Sequence, residues 1–118
     1  MGVFSIPIEI GDPQGERFEP VDAVVDTGGT FTVVPASTLR KLGVEPEERG
    51  PFEMADGTLR DYDIGQTAVR VNGREVTTVF VFGDEGIGPL LGVYTLERLR
   101  LAVDPARQRL VQVPGRLM

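Results

Sequence analysis

Val24-Val25-Asp26-Thr27-Gly28-Gly29-Thr30-Phe31-Thr32-Val33-Val34 sets a carboxylate and several hydroxyls in a glycine-punctuated bend between two apolar runs. A strand of the core has no local use for such a charge. A lone carboxylate beside buried residues is costly unless hydrogen bonds or a shared proton compensate it. The stretch therefore reads as a site, with one bland alternative: an Asp next to Gly also serves as an Asx-turn or cap at a strand end.

Working outward, the flanks read mostly as strands. Val3 to Ile10 alternates in part and Gly11-Asp12-Pro13-Gln14-Gly15 supplies turn chemistry, so a first hairpin leads into Phe18 to Val25. Phe31 to Val34 is a short apolar strand, and Pro35 to Gly43 reads as a short helix that turns Leu39 and Leu42 to the core. Asp56-Gly57 and Asn72-Gly73 are hairpin signals, bracketing an extended stretch from Thr58 through Val71 and followed by Glu75 to Phe82. A flexible Gly83–Pro89 connection precedes Leu90-Leu91-Gly92. Tyr94 to Arg98 forms a helix, and Leu101–Asp104 and Arg109–Val113 close the chain as strands.

Composition narrows the chemistry. The 118 residues suit a single domain (1–118) with one modest core. The 18 acidic residues against 12 basic ones, a net charge of -6, argue against nucleic acid or an anionic membrane as partner. With no Cys and no His, thiolate nucleophiles, imidazole bases and the commonest zinc ligands are absent. Carboxylate, hydroxyl and backbone amide remain, and neither a metal nor a cofactor is expected. Met1 to Pro7 shows no basic region leading into an apolar one, and no apolar run approaches the length of a spanning helix, so a soluble, cytoplasmic protein is expected.

Val25-Asp26-Thr27-Gly28-Gly29-Thr30 before an apolar strand, with Leu90-Leu91-Gly92 about sixty residues later, resembles the retroviral-type (retropepsin-like) aspartic proteases and their bacterial single-motif relatives. The order of entry hairpin, acid loop, helix, flap-like hairpin, paired strands and terminal strands matches over nearly the whole chain. The resemblance implies an all-β fold: a closed acid-protease β-barrel, one lobe per chain, with one short C-terminal helix and room for a second. Departures are Gly29, where many relatives carry Ala or Ser, and Val93-Tyr94, where viral members often place polar or charged residues that support the acid loop.

By that resemblance the protein is a homodimeric aspartic endopeptidase acting on extended, hydrophobic peptide or protein segments. Asp26 from each subunit would activate water, Thr27 would reach across the dimer axis, and Gly28 would allow the close approach. Asp56-Gly57 would form the flap tip. Ala55, Thr58, Val34, Ile87 and Leu90 would wall the cleft, while Leu91 and Gly92 would buttress the acid loop. Val3–Ile8 and Leu110–Val113 would interleave with the partner, so removing Gln112–Met118 would weaken the dimer.

Other readings stand beside this one. A dimeric peptide-binding or structural module with the same fold would show the same motifs. Asp56-Gly57 alone is equally a surface hairpin, and Leu90-Leu91-Gly92 is ordinary core in either case. A glycosidase needs a second acid in a comparable setting, which the chain does not offer. Asp61 and Asp63 read as solvated, and Asp56 to Asp63 lacks the spacing of a calcium loop.

Overall fold

The computed structural model describes residues 4–115 and 117. The chain runs β1 (Ser5–Gly11), β2 (Phe18–Val25), β3 (Thr32–Pro35), α1 (Ala36–Lys41), β4 (Glu48–Glu53) and β5 (Leu59–Val71). It continues through β6 (Arg74–Gly83), β7 (Leu90–Leu91), α2 (Val93–Leu99), β8 (Leu101–Asp104) and β9 (Arg109–Gln112). Val3, with which the first strand was expected to begin, lies outside the described residues, as do Arg116 and Met118 in the C-terminal segment.

Turn chemistry sets the hairpins. Asp12, buried at the β1–β2 turn, accepts the Glu16 and Arg17 N–H groups on Oδ1. Asn72 and Gly73 both take positive φ, the two-residue connection that suits the strand twist, and Val71 pairs with Arg74 across it. At the end of α1, Gly43 and Val44 N–H return to Arg40 and Leu39 carbonyls, which stops the helix where the sequence places its glycine.

Seven strands form one sheet in the order β1-β2-β7-β3-β6-β5-β4, and β8–β9 form a second, two-stranded sheet. β7 lies between β2, to which it is parallel (Val24↔Leu90, Val25↔Leu91), and β3, to which it is antiparallel (Val33↔Leu90). The segment joining β2 to β3 must therefore pass around the end of β7. That segment contains Asp26.

The fold corrects the expectation of an all-β closed barrel. Roughly half of the described residues are strand, and the two helices are structural members of a mixed α/β fold. Leu39 of α1 and Leu96 and Leu99 of α2 are buried in the same cluster as Ile8, Ile10, Val69, Phe80 and Leu91. Among the described residues the terminal strands β1 and β4 do not pair with each other. β1 instead makes a short antiparallel pairing with β5 through Glu9↔Arg70 and Ile10↔Val69. The physical reason is that the core faces left open by the sheet are covered by helix side chains and not by further strands. Among the described residues no helix is long and apolar enough to cross a membrane.

Candidate active site

Asp26 follows β2 directly. Its N–H donates to the Leu91 carbonyl at 3.0 Å, its Oδ1 accepts the Gly28 N–H at 3.0 Å, and its own carbonyl accepts the Gly29 N–H at 3.2 Å. The local Asx-type turn and the long-range anchor to β7 thus act on the same residue. Among the described residues no cation pairs with Asp26, which leaves Oδ2 available. Thr27 and Gly28 are exposed at the crest of the bend.

The bend is braced from α2. Val93 N–H donates to the Gly29 carbonyl (2.9 Å) and Tyr94 N–H to the Thr30 carbonyl (3.0 Å). These are N–H groups of the first helical turn, which have no acceptor within their own helix. Gly92 makes the approach possible: a Cβ there would lie 2.5 Å from the Phe31 carbonyl oxygen and 2.8 Å from that of Thr30. Gly92 N–H donates to Thr32 Oγ1 at 3.1 Å. Behind it lies a buried set of hydroxyls, with Thr32 and Thr95 Oγ1 atoms 2.6 Å apart and those of Thr78 and Thr95 3.3 Å apart. Leu91 is fully buried beneath.

Above Asp26, the β4–β5 hairpin overhangs a cavity of about 570 Å³, within the range of ligand clefts. Asp26, Gly28, Ala55, Ile87 and Leu90 line it together. Asp56, Gly57 and Thr58 form the hairpin tip outside the lining. Gly57 takes φ +86°, a left-handed conformation that glycine adopts at little cost, and its N–H closes the turn onto the Met54 carbonyl. The Thr58 hydroxyl and N–H both donate to Asp56 Oδ1, which holds that carboxyl below its usual range.

Val34 is not on the cleft. It is fully buried in the core, and its neighbour Val33 lines the cavity instead. Side chains alternate along a strand, so one position separates wall from core.

Cleft residues not singled out in the sequence include Phe31, Phe52, Met54, Tyr62 and Asp84. Phe31 of the acid loop meets Phe52 of β4 edge-on with centroids 5.4 Å apart, and Tyr62 stands 6.2 Å beyond Phe52. The Tyr62 hydroxyl donates to Asp84 Oδ2 at 2.9 Å, and Arg60 pairs with the same oxygen at 3.2 Å. Burial first, and then the bond to Asp84, push the Tyr62 phenol above its ordinary value. Three aromatic residues spread through the sequence give no local signal of their meeting. Among the described residues no cluster of three or more Asp, Glu, His or Cys is placed to hold a metal ion.

A family model described as "gag-polyprotein putative aspartyl protease" matches residues 17–98. No curated protein sequence matches the chain. Among solved structures, the retroviral protease-like domain of Ddi1 from Leishmania major is 19% identical with a TM-score of 0.62, over 100% of this chain and 99% of that one. The simian foamy virus (mac) protease is 22% identical with a TM-score of 0.57, over 79% of this chain and 91% of that one. A retropepsin-like aspartic protease from Rickettsia conorii is 22% identical with a TM-score of 0.55, over 87% and 86%. At these identities the structural likeness is one of fold, and it spans viral, eukaryotic and bacterial proteins without singling out a bacterial line. The matched span includes the acid loop, the overhanging hairpin and nearly all of α2, and on that ground the chain belongs to the gag-polyprotein aspartyl protease family, with a retropepsin-like fold.

Proposed function

We propose that this protein is an aspartic endopeptidase that works as a homodimer, the whole chain forming one lobe. The observation that carries the reading is the position of Asp26. Its carboxylate lies in the lining of the cavity beneath the β4–β5 hairpin, on a loop braced by backbone bonds from β7 and α2. The sequence has a single Asp-Thr-Gly, so a second equivalent carboxylate comes from a second chain.

Two carboxylates about 3 Å apart cannot both ionise, and share one proton. The ionised Asp26 takes a proton from water as the water oxygen attacks the peptide carbonyl carbon. The protonated Asp26 gives its proton to the carbonyl oxygen. Collapse of the resulting diol breaks the C–N bond as the amine nitrogen gains a proton. Thr27, exposed beside Asp26, is the residue we place across the dimer axis, and Gly28 leaves the approach to the carboxylates unobstructed. Ala55 and the Asp56-Gly57-Thr58 tip form a flap, whose backbone groups hold an extended peptide. Ile87, Leu90, Val33 and Phe31 provide an apolar wall, which favours hydrophobic side chains beside the scissile bond.

The test compares wild type with Asp26→Asn for peptide cleavage from about pH 3 to about pH 8, at concentrations shown by ultracentrifugation to contain dimer. Cleavage lost in the variant supports the proposal. Equal activity in both refutes the role of Asp26, and equal inactivity with retained peptide binding supports a binding module.

A further inference from the structure

We infer that Thr95 is a positioning residue for Asp26, acting through a buried hydroxyl relay that ties α2 to the acid loop; this rests on the peptidase reading above. Thr32, Thr78 and Thr95 come from β3, β6 and α2, and all three are buried among apolar side chains. Thr95 is the member that touches both others, at 2.6 Å and 3.3 Å.

The relay leads to the site in two bonded steps. Thr95 engages Thr32 Oγ1, and that same oxygen accepts the Gly92 N–H. Gly92 joins Leu91, whose carbonyl anchors Asp26 N–H, to Val93, whose N–H holds the Gly29 carbonyl. The depth and rotation of α2 therefore set where the acid loop lies. Apolar contacts of Leu96 and Leu99 hold the helix against the core. Such contacts are non-directional and tolerate small slides. A hydrogen bond between buried hydroxyls does not, because sliding leaves the hydroxyls without partners. Val would match Thr95 in shape while removing its hydroxyl.

The experiment uses the full chain at dimer-containing concentration, with Thr95→Val, Thr95→Ser and, as a control of general core damage, Val71→Ala, a buried position remote in sequence from the acid loop. Amide hydrogen exchange is read by NMR at Asp26, Gly92, Val93 and Tyr94, alongside kcat and KM. In Thr95→Val these amides exchange ~10-fold faster than the rest of the core, kcat falls ~10- to 100-fold, and KM stays within about twofold. Thr95→Ser restores both readouts. Uniform acceleration across the core, as in Val71→Ala, or failure of Ser to rescue, overturns the inference.

If Thr95→Val does not fold, Thr78→Val/Thr95→Val removes the inner hydroxyl pair together and avoids stranding Thr78; the same local excess is expected, and its absence is equally decisive. The exchange readout needs no cleavage. An inactive wild type would therefore sink the peptidase reading while the relay was still decided by the four amides.

Discussion

Gly92→Ala is the sharpest test of how the acid loop is held. The new Cβ would stand 2.5 Å from the Phe31 carbonyl oxygen, 2.6 Å from its carbon and 2.8 Å from the Thr30 oxygen. All three atoms are backbone, so no side chain can rotate away. Moving from 2.5 Å to the 3.4 Å of an ordinary contact separates loop and helix by about 0.9 Å. The Val93–Gly29 and Tyr94–Thr30 bonds, at 2.9 and 3.0 Å, leave hydrogen-bond range under such a shift. Their loss costs about 1 kcal/mol each, and overpacking adds about 1–3 kcal/mol. The total of about 3–5 kcal/mol compares with about 6–18 kcal/mol expected for a chain of this length.

Urea unfolding should therefore show a much lower midpoint with an unchanged slope, and the melting temperature should fall by about 10–20 °C. Cleavage should drop by more than the folded fraction accounts for, since a shift of about 1 Å at reacting groups can cost ~100-fold. A variant destabilised by less than about 1 kcal/mol with wild-type kcat would refute the argument that close backbone approach fixes the acid loop.

Gly29→Ala should behave differently, because its Cβ would meet only Asp26, at 2.9 Å from Oδ2 and 3.3 Å from Cγ. The carboxylate can rotate away, so stability should change by less than about 1 kcal/mol while kcat and the pH profile shift; an unchanged profile would count against the observed carboxylate orientation. Phe52→Ala removes aromatic contacts with Phe31 and Tyr62, each worth about 0.5–1.5 kcal/mol, and should raise KM more than it lowers kcat; steady-state kinetics with unchanged KM would exclude Phe52 from the binding wall. Asp56 should titrate by NMR below 3.8, with the Thr58 amide shift following the same midpoint. Its depressed value means that its contribution to hairpin stability is present above the unfolded pKa and lost as pH falls through the folded one; a midpoint at or above the ordinary value would remove the Thr58 bonds from the account.

Much of this architecture was legible because its signals are local. Asp56-Gly57 and Asn72-Gly73 mark their turns through positive φ at Gly57, Asn72 and Gly73. The extended stretch from Thr58 to Val71 corresponds to β5, Leu59–Val71. The short helix segments were also visible, yet their weight was not. The helix pattern already turns Leu39, Leu96 and Leu99 inward, but which faces of the sheet they close is set only once the sheet is assembled. Val33 and Val34 are both valine, so alternation could not say which faced the cleft until pairing with Leu90 and Phe82 set the register. Thr32, Thr78 and Thr95 read individually as strand or helix residues. Their meeting depends on contacts 17 and 63 residues apart.

That difference in range separates the two halves of the candidate site. The hairpin tip is closed by its own residues: Met54 N–H to Thr58 carbonyl, Gly57 N–H to Met54 carbonyl, and Thr58 to Asp56. Such a unit can swing on its strands without breaking a bond inside it, provided that Phe52 parts from Phe31 and that Tyr62 and Arg60 release Asp84. The acid loop has no such freedom, because Asp26, Gly29 and Thr30 are bonded to Leu91, Val93 and Tyr94 across the sheet, and moving any of them disturbs β7 and α2 together. Opening free energies scale with the contacts that must be broken. The arrangement thus joins an acid loop bonded to β7 and α2 to a hairpin tip closed by its own residues, and the hairpin meets the rest of the chain through the Phe31–Phe52 contact and the bonds of Tyr62 and Arg60 to Asp84.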